Sequence, residues 1–393
     1  MSRFSTRTDF PRAPNALTEA HAARQARGLP LLDLTESNPT RVGLPAPDVD
    51  LLSLPGGLGY APEPLGLASA RHAVAESWLA RGARVSAEHI LLSASTSEAY
   101  GWLLKLLCEP EDTVLVPAPC YPLVDVLARL EGVQTRAYRL PLAHGFGLDA
   151  GAVESACDAR TRAVVVVNPG NPTGHFLHEG ELAALAEVCA RRGLALICDE
   201  VFSEFPWDDE PDRVPTVAGR ALPCLTFALG GLSKSVGLPG LKVGWTHVGG
   251  PESLRDEALA RLEWVSDAYL SVNTPAQHAV PALLARAPRF QQALRERVLA
   301  NRARLLAARP RGAAWDVVRA HGGWSAVLRV PTEPGEEATC LALLAAGVRV
   351  QPGYFYDFEG GAYLVLSLLA PPERFSAALQ VLVDGLGRMF PAG

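Results

Sequence analysis

The sequence predicts an α/β protein with a three-layer αβα large domain, built around a mainly parallel sheet, and a smaller α+β domain. Three observations predict it. The 393 residues exceed what one ordinary hydrophobic core holds, so two domains are expected. From about residue 70 to 250, short β-rich runs alternate with helical stretches. Such alternation means right-handed crossovers and a sheet covered on both faces. After Pro251 the order changes to long helices, then short strands mixed with helices.

The elements of the first region follow in order. HILLSAS reads as a strand and SEAYGWLLKLLC as the helix after it; DTVLVPAP and PLVDVLARLEG repeat the pair, as do TRAVVVVNP and GELAALAEVCARRG. LALICDE, PCLTFALGG and KVGWTHVGG supply three further strands. Beyond Pro251, ESLRDEALARLEWVSDAYL is helical. A long helix is expected from about Arg289 to Arg309, with Leu294, Val298, Leu305 and Leu306 on one stripe. WSAVLRVP, VRVQPG and AYLVLSLL then alternate with the helical EEATCLALLAAG and ERFSAALQVLVDGLG. This places a large domain at residues 46–285. Residues 1–45 and 286–393 form the small domain with its N-terminal segment.

Composition excludes several classes of function. A net charge of −6 and scattered Lys and Arg give no reason to expect a nucleic-acid partner. The longest apolar runs, such as Ala163 to Val167, are too short to span a bilayer. The N-terminus is charged throughout and lacks the apolar run of a secretory signal. Seven cysteines, with no CxxC pair, read as thiols in a reducing, cytoplasmic compartment without a disulfide or metal framework.

In doubly covered parallel sheets, ligands bind beyond the carboxyl ends of the strands. Ser95, Thr96 and Ser97 follow one predicted strand, Tyr121 the next, and Asn171, Asp199 and Lys234 the three after that. Packing alone does not explain polar or aromatic residues at five such ends.

The segment NPGNPTG (168–174) resembles a signature of the fold-type I pyridoxal-phosphate enzymes. The resemblance extends through Asp199-Glu200-Val201 and GLSKSVGLPGLKVGW (231–245), and is best to the class I/II aminotransferases. It implies pyridoxal 5′-phosphate as cofactor, held by Lys234 as a Schiff base, with Ser233 beside it. It implies that Asp199 faces the pyridine nitrogen, that Asn171 donates to the ring's 3-oxygen and contacts substrate, and that Tyr121 stacks on the ring. Ser95, Thr96 and Ser97, opening a helix after a strand, resemble the family's phosphate cup. Lys242 stands where an Arg on the phosphate is usual, keeping the charge without the bidentate fork. Tyr60 resembles the tyrosine that reaches the phosphate of a neighbouring subunit, which implies a homodimer with composite sites. Local alternatives stay open: a helix N-cap at Asp199, a turn at Asn171 and Tyr60, and a core position for Tyr121.

Three positions depart from the pattern. Gly231 stands where a phosphate-binding Ser is common. Phe202 stands where a Tyr usually donates to the 3-oxygen, so the Lys234 linkage should hold its proton to higher pH. Val365, in AYLVLSLL, replaces the arginine that binds the substrate α-carboxylate. Arg41, with Asn38 in the same TESNPTR segment, is the preferred substitute, and Arg349 the other candidate. Transamination of a small, apolar or aromatic amino acid with a 2-oxo acid is the leading expectation. A C–S lyase on the same fold is the alternative. A non-catalytic sensor ranks lower, because only about 30 residues precede the fold and Lys234 and Asp199 are both present.

Overall fold

The computed structural model describes residues 5–11, 13–45, 49–50 and 61–391. Tyr60 lies outside the described residues. The strands in chain order are β1 Leu32–Asp33, β2 Ile90–Ser93, β3 Thr113–Ala118, β4 Gln134–Arg139, β5 Thr161–Val167, β6 Ala195–Asp199, β7 Thr226–Gly231, β8 Gly244–Gly249, β9 Asp316–Val317, β10 Ser325–Val330, β11 Val348–Arg349, β12 Gln351–Pro352 and β13 Ala362–Ser367.

Seven of them form one sheet in the order β2-β8-β7-β6-β5-β3-β4, parallel except for β8. Every residue of β2 and β7 is buried, as expected for strands covered on both faces. The α/β class expected from the sequence is the one observed. The strand β4 was not anticipated. Its sequence, QTRAYR, has an exposed and partly exposed register with only Tyr138 buried, because it closes one edge of the sheet.

A second sheet, β12-β13-β10-β9, is antiparallel throughout. The short β1 pairs in parallel with β11, and Leu34 and Val42 join the core beside this sheet. Residues 6–10 lie elsewhere: Arg129 donates to the carbonyls of Thr6 and Asp9 and sits over the Phe10 ring.

The long helix runs from Thr274 to Ala308, 35 residues rather than the shorter stretch expected. Pro281 and Pro288 lie inside it, and each removes a backbone hydrogen bond. Packing outweighs that cost. Ala276, Ala279, Val280, Leu283 and Ala287 enter the core around the seven-stranded sheet, while Phe290, Leu294, Val298 and Leu305 enter the second core. Among the described residues, no helix is long and apolar enough to cross a membrane.

Candidate active site

A cavity of about 470 Å³ opens at the carboxyl rim of the large sheet, a volume ordinary for a small-molecule site. Its lining includes Ser95, Thr96, Ser97, Tyr121, Asn171, Asp199, Phe202, Ser233, Lys234 and Lys242. Strand ends far apart in sequence thus converge on one space.

Each end is fixed by local backbone chemistry. Ser95 is extended and caps the helix Thr96–Leu107, its Oγ accepting from the Glu98 amide at 3.2 Å. Glu98 returns a carboxylate oxygen to the Ala94 amide at 2.6 Å, and the same oxygen accepts from Ser271 Oγ at 2.6 Å. This reciprocal arrangement satisfies two amides and leaves the other first-turn amides of the helix available. Gly244 makes the close approach possible: a Cβ there would lie 2.9 Å from the Ser95 carbonyl carbon and 3.1 Å from the Thr96 nitrogen.

The 168–174 loop is held at its base by Asn168, fully buried, which donates to Val214 O at 2.8 Å and accepts from Leu177 N at 2.9 Å. Asn171 O accepts from Tyr121 N at 3.0 Å, tying two cavity-lining loops together. Gly174, at φ +68°, closes the loop in a left-handed turn that a side chain would strain.

Asp199 ends β6. Its Oδ1 accepts from the Val201 amide at 3.2 Å and its Oδ2 from Tyr100 Oη at 3.3 Å. Burial pushes its carboxyl up to about 6, with the Val201 amide, the Tyr100 hydroxyl and the Lys234 charge opposing. The adjacent Glu200 turns to Thr216 and the Val217 amide, and burial raises it to about 7.

Lys234 sits in the one-turn helix Leu232–Ser235. Its Nζ lies 5.0 Å from the Trp324 ring centre and 5.6 Å from that of Phe202, rings that meet edge-on at 5.3 Å. Burial lowers its pKa, with Asp199 pulling the other way. Lys242 also faces the cavity, from a left-handed backbone conformation at φ +56° that is unusual for a residue with a Cβ.

Tyr100 and Trp324 extend the expected set. Tyr100 lies one helical turn beyond Thr96, on the same face, so the helix period was the available signal. Trp324 is buried and its Nε1 has no hydrogen-bond partner. Opposite Lys234 the wall comes from the small sheet and the N-terminal segment: Thr35, Ser37, Gln351, Val365 and Ser367. Val365 pairs in register with Gln351, and the amide oxygen of Gln351 accepts from Tyr356 Oη.

Asn38 and Arg41 do not line the cavity. Asn38 Oδ1 accepts from Thr40 N and Oγ1, capping a short turn. The Arg41 side chain is 74% exposed, with Glu36 at 3.9 Å. Arg349 pairs with Asp33 at 3.4 Å, also away from the cavity.

This architecture is the aminotransferase fold of solved structures. The alanine aminotransferase from Pyrococcus furiosus superposes with a TM-score of 0.89 at 20% identity, covering 98% of this chain and 100% of that one. A single mutant of Thermus thermophilus aspartate aminotransferase gives 0.82 at 26% identity, with 98% and 100% covered. The family described as Aminotransferase class I and II matches residues 32–366, and the chain belongs to that family. The Mycobacterium tuberculosis alanine aminotransferase is 32% identical over 379 residues, 95% of this chain and 82% of that protein. The Escherichia coli K12 glutamate-pyruvate aminotransferase AlaA is 31% identical over 265 residues, 66% of this chain. The chain spans 65% of the length of that relative.

Proposed function

We propose that the chain is a pyridoxal-phosphate-dependent aminotransferase that moves an amino group between a small, apolar or aromatic amino acid and a 2-oxo acid. One observation carries the reading: a partly buried lysine amine, Lys234, shares a cavity with the partly buried carboxylate of Asp199 and an open helix N-terminus at Ser95–Ser97.

The donor set fits the cofactor. Thr96, Ser97 and Lys242, with the first-turn amides cradled against Gly244, suit a phosphate dianion. Asp199, whose ionised form is disfavoured by burial, suits a cationic ring nitrogen that would restore its charge. Asn171 supplies an amide donor for the ring's 3-oxygen, and Tyr121 an aromatic face. When bound, pyridoxal phosphate supplies an electron sink for bonds at the substrate Cα.

The chain's own groups do the rest. Lys234 Nζ would hold the cofactor and, as a free amine, would take a proton from the substrate Cα and return one. Its depressed pKa keeps more of the amine neutral and therefore basic. Phe202 and Trp324 exclude water from that nitrogen. Mass composition of the opposite wall, with Val365 and without a dicarboxylate clamp, favours a small apolar donor. The name of the mycobacterial relative, alanine aminotransferase, supports the same choice.

Arg41, four residues beyond the cavity-lining Ser37, and Asn38 on the same turn are proposed to receive the substrate carboxylate. The large domain at 46–285 and the small domain at 1–45 and 286–393 follow from the same reading. The passage of the long helix from one core to the other between Ala287 and Phe290 supports that division. A homodimer, with Tyr60 reaching the neighbouring subunit's phosphate, and a cytoplasmic setting complete it; sedimentation of wild type and Tyr60→Phe tests the first.

The deciding experiment mixes the cofactor-loaded protein with L-alanine and 2-oxoglutarate. Pyruvate and glutamate in equal amounts, without ammonia, are expected. Ammonia release from cystathionine-like thioethers, without amino transfer, would establish the lyase instead.

A further inference from the structure

We propose that Asp208, Glu210 and His321 hold a divalent transition-metal ion, zinc foremost, at a site outside the cavity, with His178 beside it. His178 Nε2, Glu210 Oε2 and His321 Nδ1 are all buried atoms without a hydrogen-bond partner. Yet they point at one another. Glu210 Oε2 lies 3.3 Å from His178 Nε2 and 3.3 Å from His321 Nδ1, and His321 Nδ1 lies 3.3 Å from Asp208 Oδ2.

The distances discriminate between two readings. A charge-assisted hydrogen bond between such groups runs at roughly 2.7–2.9 Å with the hydrogen aimed at the acceptor. These contacts are longer and fail that alignment. Ligands bonded to tetrahedral zinc at about 2.0–2.2 Å stand roughly 3.4 Å from one another. One imidazole with two carboxylates carries two negative charges, which a divalent ion neutralises. Imidazole nitrogen selects zinc and its neighbours over magnesium or calcium, which prefer all-oxygen shells.

Three segments converge here and are fastened by backbone contacts. His178 and Arg213 form a β-bridge, as do Pro206 and Gly322. Trp207 N donates to His321 O at 2.7 Å, and His321 N donates to Gly174 O at 3.0 Å. Gly174 lacks a Cβ where one would lie 2.5 Å from Gly322 O. Three protein ligands leave a fourth position for water. It would tie the Asn171 loop to the strand entry carrying Trp324, three residues beyond His321, and so set the wall over Lys234. No spacing in the sequence announces it, because the ligands come from residues 208, 210 and 321.

The test uses the full-length, cofactor-loaded protein, stripped by a chelator and then titrated with Zn²⁺. Mass spectrometric metal analysis after desalting should find one zinc per chain, held with a Kd of about 1 μM or tighter. Zinc should raise the thermal midpoint. His321→Gln and Glu210→Gln should each weaken binding by at least about 100-fold, with the cofactor absorbance unchanged. His175→Gln, beside the site but not in it, should keep one zinc. Should His321→Gln fail to fold, Glu210→Gln on its loop decides alone. The proposal is overturned if wild type retains no zinc, or if Glu210→Gln binds it as tightly as wild type.

Discussion

The two walls of the cavity are built differently. The wall around Lys234 is made of strand ends and a helix cap, with Ser95 and Asp199 each held by a backbone amide two or three residues on. The wall across from it is made of short segments from the small sheet and the N-terminus, and presents Val365, paired with Gln351, where an arginine was expected. On the function proposed above, the first wall would recognise the constant ligand and the second the variable one. That difference teaches where specificity is decided: in the sheet that contributes no strand to the larger one.

Substitutions on the first wall should have the largest effects. Lys234→Ala should abolish the cofactor's covalent attachment and lower kcat/KM by more than about 10⁴-fold, read by steady-state kinetics and absorbance. Asp199→Asn should lower kcat by about 100-fold or more. The same substitution should stabilise the cofactor-free protein. With the folded pKa raised from 3.8 to about 6, the native state binds the proton more tightly than the unfolded chain. Stability therefore falls as pH rises across that interval and stays at the lower level above it, by at most about 3 kcal/mol. Chemical denaturation of the cofactor-free form at pH 4, 6 and 8 should show this slope in wild type and its loss in Asp199→Asn. A pH-independent wild type would refute the assignment.

The second wall should respond in KM. Trp324→Phe removes an indole N–H that has no partner in the free chain, and should raise the KM for the amino acid about tenfold with kcat little changed. The smallest effect is expected at Arg41→Ala, because its side chain is largely exposed: a rise in KM of roughly two- to threefold. An unchanged KM would remove Arg41 from the substrate's path and leave uncharged donors to hold the carboxylate.

The same contrast governs how much could be read from the sequence. Strands β2, β3, β5, β6, β7 and β8 were legible because strands covered on both faces are continuous apolar runs ended by turn residues. The residues at their ends were legible because topology alone brings those ends to one rim. β4 was missed because only Tyr138 of its six residues is buried, so it carries little of that signal. The start of the long helix was misplaced because Pro281 and Pro288 read as breaks, whereas burial on two cores overrides them. The second wall depends on register between β12 and β13 and on the placing of Trp324. The register is not set by local pattern, and Trp324, immediately before β10, is placed by the turn at Gly322–Gly323.

That long helix has a mechanical consequence. A single rod from Thr274 to Ala308 is embedded at one end in the larger core and at the other in the smaller. Any rotation of one sheet toward the other must be absorbed as bending along it. Pro288, whose nitrogen cannot donate to the Leu284 carbonyl one turn back, stands between Ala287 and Phe290, the last anchor of one core and the first of the next. The rod is thus softest where the two bodies part, and its stiffness there sets the cost of closing the cavity on a substrate.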